Sequence, residues 1–449
     1  MPSVQELPPS FGEQAHMPGR KDRVHVLHTK RSLGSLEHMR IDRDSAPPVP
    51  PVPPVPAVTP APKSSSKGHT VVMERRPSRA ALRPSAKVTS CEEHYKNKTS
   101  MRSVFTDPAH RLYVDDAPLP KPLPDECVVR VRASGICGSD CTSWRKGSIG
   151  GHDVQAPLRL GHESAGEIVA VGSTVRNLKL GDRVCIEPGI ACGTCRQCRS
   201  GWYNLCPQVK FISVAPCHGT LAEYVAHPAS WLHKLSPDTD FREGALIEPM
   251  SIALASVRRA DLKLGHSVAI IGAGSIGLMI YLLAKASGAT PITLVDSSQA
   301  RLDFAVSALG VRPSEVVRAD PQGTPTAEAA RIIESMSGTR PDIVFECTGF
   351  PGPVHVAIEA LELGGVLTEV GIGANVDNLP FSDMLHRQID LRFVMRANSC
   401  FEDCIKLLEN GIVNPKPLVT HNYTLEEAPT AFAAASHPQA GAVKVHIVS

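Results

Sequence analysis

Ser267-Val-Ala-Ile-Ile-Gly272-Ala-Gly274-Ser275-Ile276-Gly277-Leu-Met-Ile-Tyr-Leu-Leu-Ala-Lys-Ala286 runs from a short apolar strand through a tight turn into a helix. A bare GxGxxG is a weak signal, but here a strand precedes it and a helix follows. Gly272 permits the turn, Gly274 lets the backbone approach a pyrophosphate, and Gly277 lets the helix pack close on the strand. Ser275 and Ile276 open that helix, whose unpaired N–H groups would face the phosphates. A second apolar strand, Pro291-Ile-Thr-Leu-Val-Asp296, ends in an acid at the distance expected for a bond to the adenosine ribose. Asp296 would repel a 2′-phosphate, which points to NAD rather than NADP. Arg301 keeps the question open, since it reads equally as packing along the adenine or as a surface ion pair. The plainer alternative is a glycine-rich turn in some other α/β domain.

Outward from this stretch the pattern is consistent. From about Leu264 short apolar runs alternate with helical stretches, the mark of βαβ units and a Rossmann-type, doubly wound parallel sheet. Asp342-Ile-Val-Phe-Glu-Cys347-Thr-Gly349 and Leu363-Gly-Gly-Val-Leu-Thr-Glu-Val-Gly371 read as further strands. Cys347 reads as a small buried residue. The preceding part is different. Glu126-Cys-Val-Val-Arg-Val-Arg-Ala alternates like a strand, and glycine turns introduce strands near Leu160 and Leu180. The expected organisation is a β-rich domain over 101–250, an α/β domain over 251–385, and a return to the first domain over 386–449.

Residues 1–100 stand apart. Pro47 through Pro62 is almost wholly proline, valine and alanine, flanked by basic patches such as Glu-Arg-Arg-Pro-Ser-Arg. Such a stretch favours extended polyproline II and lacks the apolar periodicity to offset its ordering entropy, so a disordered tail is expected. A tail of this kind could serve an SH3-like domain or an anionic surface; the plainer reading gives it no specific partner.

Composition excludes several classes. A formal net charge of only +2 over 449 residues gives no general reason to expect nucleic acid. No apolar run is long enough to span a bilayer, and the first residues lack a basic start followed by an apolar stretch, so neither a membrane nor a secretory leader is expected. The 13 cysteines form no secreted disulfide framework, which suits a reducing, cytoplasmic setting.

Four of those cysteines, Cys192, Cys195, Cys198 and Cys206, are separated by three, three and eight residues. Thiolates so spaced can close a short lobe (192–206) around one tetrahedral zinc; free or disulfide-bonded cysteines are the alternative. A closed site does no chemistry, so a reactive centre must lie elsewhere. Cys137, His162, Glu163 and Glu248 are the remaining metal-type groups. Cys137 as thiolate, neutral His162 and ionised Glu163 would leave a zinc centre formally neutral with one position open. Asp140 is placed to orient a ligand histidine. By spacing alone, a buried core thiol and a polar turn after Gly161 fit these residues equally well.

In combination, Gly135-Ile-Cys137-Gly-Ser139-Asp140, Gly161-His162-Glu163 and Ala245-Leu-Ile-Glu248-Pro-Met-Ser resemble the three zinc motifs of the zinc-containing medium-chain alcohol dehydrogenase superfamily. The polyol branch, the sorbitol, xylitol and L-arabinitol dehydrogenases, is the nearest match, from about Met101 to the C-terminus. The closing Leu418-Val-Thr-His-Asn-Tyr-Thr-Leu-Glu-Glu-Ala resembles the fungal L-arabinitol enzymes. The resemblance implies a GroES-like catalytic domain, catalytic and structural zinc, NAD, and self-association as a homodimer or homotetramer. It implies Cys137, His162 and Glu163 as ligands, Glu248 near the metal or its water, and Arg396 as a group that bonds substrate hydroxyls. Ser139 would stand beside the metal on the proton's way out. Thr142-Ser143-Trp144 and Ala397 depart from the family's pattern of substrate-lining aromatics. The expected chemistry is reversible oxidation of a polyol's secondary alcohol to a ketose. A dehydrogenase for another secondary alcohol and a dinucleotide-binding interaction protein recruited by its tail are the rivals.

Overall fold

The computed structural model describes residues 92–437 and 441–449, so the expectation of a disordered tail lies outside the described residues up to position 91. Order nonetheless begins before Met101. Residues 92–96 are helical, Tyr95 is buried against Tyr224 with ring centroids 5.4 Å apart, and Lys98 pairs with Glu223 at 2.5 Å. The boundary expected at 100 therefore moves back, because one aromatic anchor and one ion pair fasten this segment to the domain.

A mixed sheet dominates the first half. Its strands run in the order Leu232–Lys234, Arg183–Ile186, Glu163–Val171, Glu126–Gly135, Lys444–Val448, Val419–Tyr423, with Tyr224–Pro228 pairing the outer half of Glu126–Gly135. Alternation of apolar residues along Glu126–Gly135 buries Cys127, Val129 and Val131 in one cluster with Ile168, Val184 and Val225. The second half is a six-stranded parallel sheet in the order Val316–Arg318, Ile292–Asp296, Val268–Ile271, Ile343–Glu346, Val366–Glu369, Asp390–Phe393. All four residues of Val268–Ile271 are buried, as a strand covered on both faces requires. Strand order reverses beside it, which opens a crevice at the carboxyl ends of the strands.

The expected return at 386 is later in the structure. Asp390–Phe393 closes the parallel sheet as its sixth strand, and the chain crosses back only after it. The helix Phe401–Glu409 then packs on the helix Ile247–Arg259, and Lys444–Val448 inserts beside Glu126–Gly135. The two halves share the cluster that runs from Ala165 and Leu246 to Ile270, Phe345 and Phe401.

Two histidines are buried as neutral rings. Burial pushes His227 down to about 4, and burial together with the Lys444 charge pushes His446 down to about 3. Both lie below the ordinary value of 6.5, so below that pH the unfolded chain binds protons the folded chain refuses. Stability is complete above pH 6.5 and is lost as the pH falls, by about 2 kcal/mol per histidine at pH 5. Thermal melts from pH 7.5 to 5 should show a falling Tm. The difference in slope between wild type and His446→Leu isolates that imidazole, and equal slopes would contradict its assignment.

Candidate active site

Three chain ends converge to build the reactive centre. The strand Glu126–Gly135 stops just before Cys137, which caps the helix Gly138–Lys146. Gly135 lies opposite Glu163, the first residue of Glu163–Val171, and on its other side opposite His446. The register brings the Cys137 thiol, the His162 ring and the Glu163 carboxylate to one point, their ligand atoms within 4.8 Å of one another.

Asp140 explains the Cys-Gly-Ser-Asp spacing. It is the third residue of the helix, so one oxygen accepts the Cys137 N–H at 3.0 Å, as in a capping box. The other oxygen lies 3.2 Å from His162 Nδ1 and accepts from Ser213 Oγ at 2.7 Å and the Gly161 N–H at 3.1 Å. Burial opposes ionisation, but His162 and these donors outweigh it and hold the Asp140 carboxyl below its usual range. With Nδ1 occupied, His162 presents Nε2 to the cluster, where Ser139 Oγ stands 3.5 Å away. Sulfur, imidazole nitrogen and carboxylate oxygen around one point, with an orienting carboxylate behind the imidazole, suit zinc with a position left open.

Glu248 is not among the three converging ligands. It lies buried on the first turn of Ile247–Arg259, close enough to feel the charges of His162, Glu163 and Lys444. Burial, with Glu163 adding to it, pushes its carboxyl up to about 7. Glu248, Glu187, Arg396, Ala397 and Phe211 line a cavity of about 20 Å³, the size of a water site. Arg396 has a left-handed backbone, φ 57°, held by its bond to Asn204 O at 3.1 Å and by the Asn204 amide bonding Met395 O at 2.9 Å. Its guanidinium stands 5.3 Å from the Phe211 ring, which in turn lies 5.6 Å from the His162 ring. Of the residues where the pattern departs, Ser143 is buried, and Trp144 belongs to the core, edge-on to Phe432 at 5.9 Å.

The four cysteines of the lobe also converge within 4.8 Å. Cys195 and Cys198 sulfurs are 3.4 Å apart and Cys192 and Cys198 sulfurs 4.0 Å apart, too far for a disulfide. These spacings bracket the edge of about 3.8 Å of a tetrahedron with Zn–S bonds of about 2.3 Å. Backbone N–H groups aim at the sulfurs, including that of Cys195 at Cys192, 3.4 Å. The Thr194 N–H and hydroxyl and the Cys195 N–H hold the Cys192 thiol down to about 6.

The dinucleotide turn follows the same logic. Gly272 has φ 109°, and a Cβ on Gly277 would sit 1.8 Å from Gly272 O. A Cβ on Gly274 would meet nothing within 4 Å, so the helix start opens onto free space. Ser275, Ile276 and Gly277 present first-turn N–H groups there. Asp296 braces the turn, accepting the Ala273 N–H at 2.7 Å and the Ser298 N–H at 2.8 Å. Arg301 reaches it at 3.5 Å from a half-exposed position, the surface pair that was one of its two readings.

Two family models cover this architecture: the alcohol dehydrogenase GroES-like domain over residues 123–237 and the zinc-binding dehydrogenase domain over 275–410. The chain belongs to the zinc-containing medium-chain alcohol dehydrogenases. It is 42% identical over 355 residues to L-arabinitol 4-dehydrogenase of Aureobasidium melanogenum, covering 77% of this chain and 95% of that protein. It is 39% identical over 321 residues to sorbitol dehydrogenase of Bos taurus, covering 72% of this chain and 89% of that one. The crystal structure of 2R,3R-butanediol dehydrogenase from Bacillus subtilis matches with a TM-score of 0.68 at 30% identity, over 78% of this chain and all of that one, 100%. As an alcohol dehydrogenase of this family the chain is an oxidoreductase that uses zinc and NAD(P). Among the described residues no helix is long and apolar enough to cross a membrane.

Lys444 was not legible in the sequence. Its ammonium donates to both Glu163 oxygens at 2.8 Å from 281 residues away. Val443-Lys-Val-His-Ile-Val448 alternates apolar with polar and so reads as a strand with one wet face, yet Lys444 and His446 are both buried. Asn204, from the turn Tyr203–Leu205 inside the cysteine lobe, and Phe211 and Ser213, just beyond it, likewise reach the site although no motif marks them.

Proposed function

We propose that the chain is an NAD-dependent polyol dehydrogenase that interconverts a secondary alcohol with its ketose, in the L-arabinitol, xylitol or sorbitol class. The convergence of Cys137, His162 and Glu163, braced by Asp140, carries this reading. The relatives named for L-arabinitol and sorbitol support the substrate class. Cys137, His162 and Glu163 would hold the catalytic zinc, with Glu248 near it, and Cys192, Cys195, Cys198 and Cys206 the structural one. Zinc there supplies a Lewis acid toward the substrate oxygen, and the nicotinamide accepts the hydride.

The rest is the work of side chains. Asp140 fixes the His162 tautomer, so that Nε2 stays free of a proton. Ser139 Oγ and the Glu248 carboxylate stand on the path by which the hydroxyl proton leaves. Arg396, held by Asn204, bonds a neighbouring substrate hydroxyl and thereby selects polyols over simple alcohols. The first turn of Ser275–Ala286 takes the pyrophosphate, and the Asp296 carboxylate takes the ribose hydroxyls and excludes a 2′-phosphate. Arg301 pairs with Asp296 at 3.5 Å, which supports this reading. Self-association as a homodimer or homotetramer is part of the same reading. Asp390–Phe393 is a sheet edge with no outer neighbour among the described residues, and Phe381, Leu385 and Phe393 are exposed beside it. A cytoplasmic setting fits the 12 free cysteines of the described residues.

A substrate panel decides. Purified protein is given L-arabinitol, xylitol, sorbitol, 2,3-butanediol and 2-propanol with NAD or NADP, and nicotinamide reduction is followed by absorbance. Polyol turnover with NAD exceeding that with NADP is the expected result. Turnover of simple secondary alcohols alone would replace the substrate class, and no turnover of any alcohol would leave a dinucleotide-binding protein.

A further inference from the structure

Two carboxyl groups meet at the end of the parallel sheet. Glu346 and Glu369 close the neighbouring strands Ile343–Glu346 and Val366–Glu369, and the register sets them directly opposite one another. Residues paired in this way share a face, and like charges so placed repel. Yet Glu369 is within hydrogen-bonding reach of Glu346. Glu346 is wholly buried and already supplied with donors. Its Oε1 accepts the Thr348 N–H at 2.8 Å and the Thr348 hydroxyl, and its Oε2 accepts the Gly349 N–H at 2.8 Å. Glu369 has no such supply, and its enclosed Oε2 is without a partner. Among the described residues no cation faces the pair. Its sheet neighbours on that face are Ile271 and Phe393. The helix Pro351–Ala360, packed on Ile343–Glu346, carries His355 and Glu359, and the His355 ring is bonded to Asp377 O at 3.1 Å. Arg392 on the outermost strand is paired with Asp390 at 2.8 Å. Cys347 feels both carboxyls, and burial together with their charges pushes its thiol up. Two carboxyls at bonding distance in such a place cannot both ionise.

The loops that follow these two strands form one wall of the dinucleotide crevice. Thr348 and Cys347 stand against Gly272, where a Cβ would meet them at 3.0 and 3.3 Å. The Glu346 side chain holds the first loop, and its carbonyl holds the second, accepting the Val370 and Gly371 N–H groups at 2.9 and 3.0 Å. Gly371 leaves room for Glu346 Oε2, which a Cβ there would approach to 2.7 Å, and a Cβ on Gly373 would collide with Gly349 O. We propose that Glu346 and Glu369 share one proton and that this proton latches the two loops together, which makes both residues positioning residues for the dinucleotide. This rests on the reading of Gly272 to Gly277 as the dinucleotide turn. With the proton in place Glu369 donates to Glu346, and the strand ends are drawn together. Without it two anions oppose each other, and loops 347–350 and 370–373 part. Burial first, then the Glu346 charge and the bond to it, pushes the Glu369 carboxyl up to about 8. The proton is held below that pH and lost above it. The grip on the cofactor is therefore full at pH 7 and weakens as the pH rises through 8.

The test measures NADH binding to the full-length protein by fluorescence from pH 7 to about 9.5. NADH is the probe because its nicotinamide ring is neutral. In wild type the dissociation constant should rise about tenfold across this range, the effect of one pH unit of difference in the hold on the proton. Glu369→Gln, whose amide donates to Glu346 at every pH, should bind like wild type at pH 7 and keep that affinity to the end of the range. Glu369→Leu has neither proton nor charge, so its binding should be weaker than wild type at pH 7 and independent of pH. The leucine suits an apolar surrounding and serves if Glu369→Gln does not fold. Infrared spectra at pH 7 should show a protonated carboxyl band that Glu369→Gln reduces. A wild-type affinity that stays constant over the range would overturn the proposal, as would the same fall in Glu369→Gln or an unreduced carboxyl band. A wild-type protein that binds neither NADH nor NADPH at any pH would instead overturn the dinucleotide reading.

Discussion

Cys137→Ser should lower turnover by more than about a thousandfold and remove one of two zinc ions per chain, with the melting temperature little changed. Two clusters of ligand atoms lie within 4.8 Å of their own members, one at Cys137, His162 and Glu163 and one in the cysteine lobe. The serine hydroxyl stays protonated where the thiolate is charged, so the catalytic cluster loses a full ligand charge and its soft donor. Glu163 cannot compensate, since it is already one of the three converging groups and offers oxygen in place of the lost sulfur. A Lewis acid that contributes several kcal/mol to the barrier is worth about a thousandfold or more in rate. Cys137 lies at a helix start, is only partly buried and stands outside the apolar clusters, so the fold survives its loss. Zinc analysis, steady-state rates and melting curves on one preparation read all three outcomes. Near-normal turnover with one zinc per chain would contradict the assignment of the catalytic centre.

Cys206→Ser should have the opposite profile: a melting temperature lower by about 10 °C or more, loss of the other zinc, and activity lost as a consequence. Cys206 is the buried member of the lobe, 3% exposed, and its sulfur accepts the Cys192 N–H at 3.4 Å. Structural zinc binding is coupled to folding free energy, and removing one ligand forfeits several kcal/mol of it. The lobe also reaches the substrate side. Asn204, two residues before Cys206, holds both the Met395 carbonyl and the Arg396 guanidinium, and Tyr203 OH accepts the Ser399 N–H at 2.7 Å. A melted lobe frees that turn, where Arg396 and Ser399 sit in left-handed conformations at φ 57° and 52°. A Cys206→Ser protein that keeps two zinc ions and a wild-type melt would show that the lobe is closed by something other than metal.

The two clusters differ in how readily the sequence reveals them. Cys192 to Cys206 is a local motif, since fifteen residues of chain close around one point and the spacing alone limits what the thiols can do. The GxGxxG turn is local for the same reason: Gly272 and Gly277 must approach each other, and only glycine permits the 1.8 Å that a Cβ would leave. The reactive centre is not local. Cys137 and His162 are 25 residues apart, and spacing left a core thiol and a polar turn as equal alternatives. Resemblance named the ligands; strand register joined them, by placing Gly135 opposite Glu163. Two boundaries were misplaced because composition marks them poorly. Tyr95 is held by partners far along the chain, the Tyr224 ring and the Pro120 carbonyl, and Asp390–Phe393 carries two charges in four residues, so it reads as surface although it closes the parallel sheet.

The sequence by itself determined the two-part architecture, the dinucleotide turn and the cysteine lobe, because each depends on residues close enough along the chain for spacing to express geometry. Only the tertiary structure decided how Glu163 is shared with Lys444, which face of the last strand is dry, and where Arg396 is held. Those are long-range matters: Glu163 and Lys444, 281 residues apart, meet through pairing register, and a one-residue slip would turn Lys444 to the opposite face.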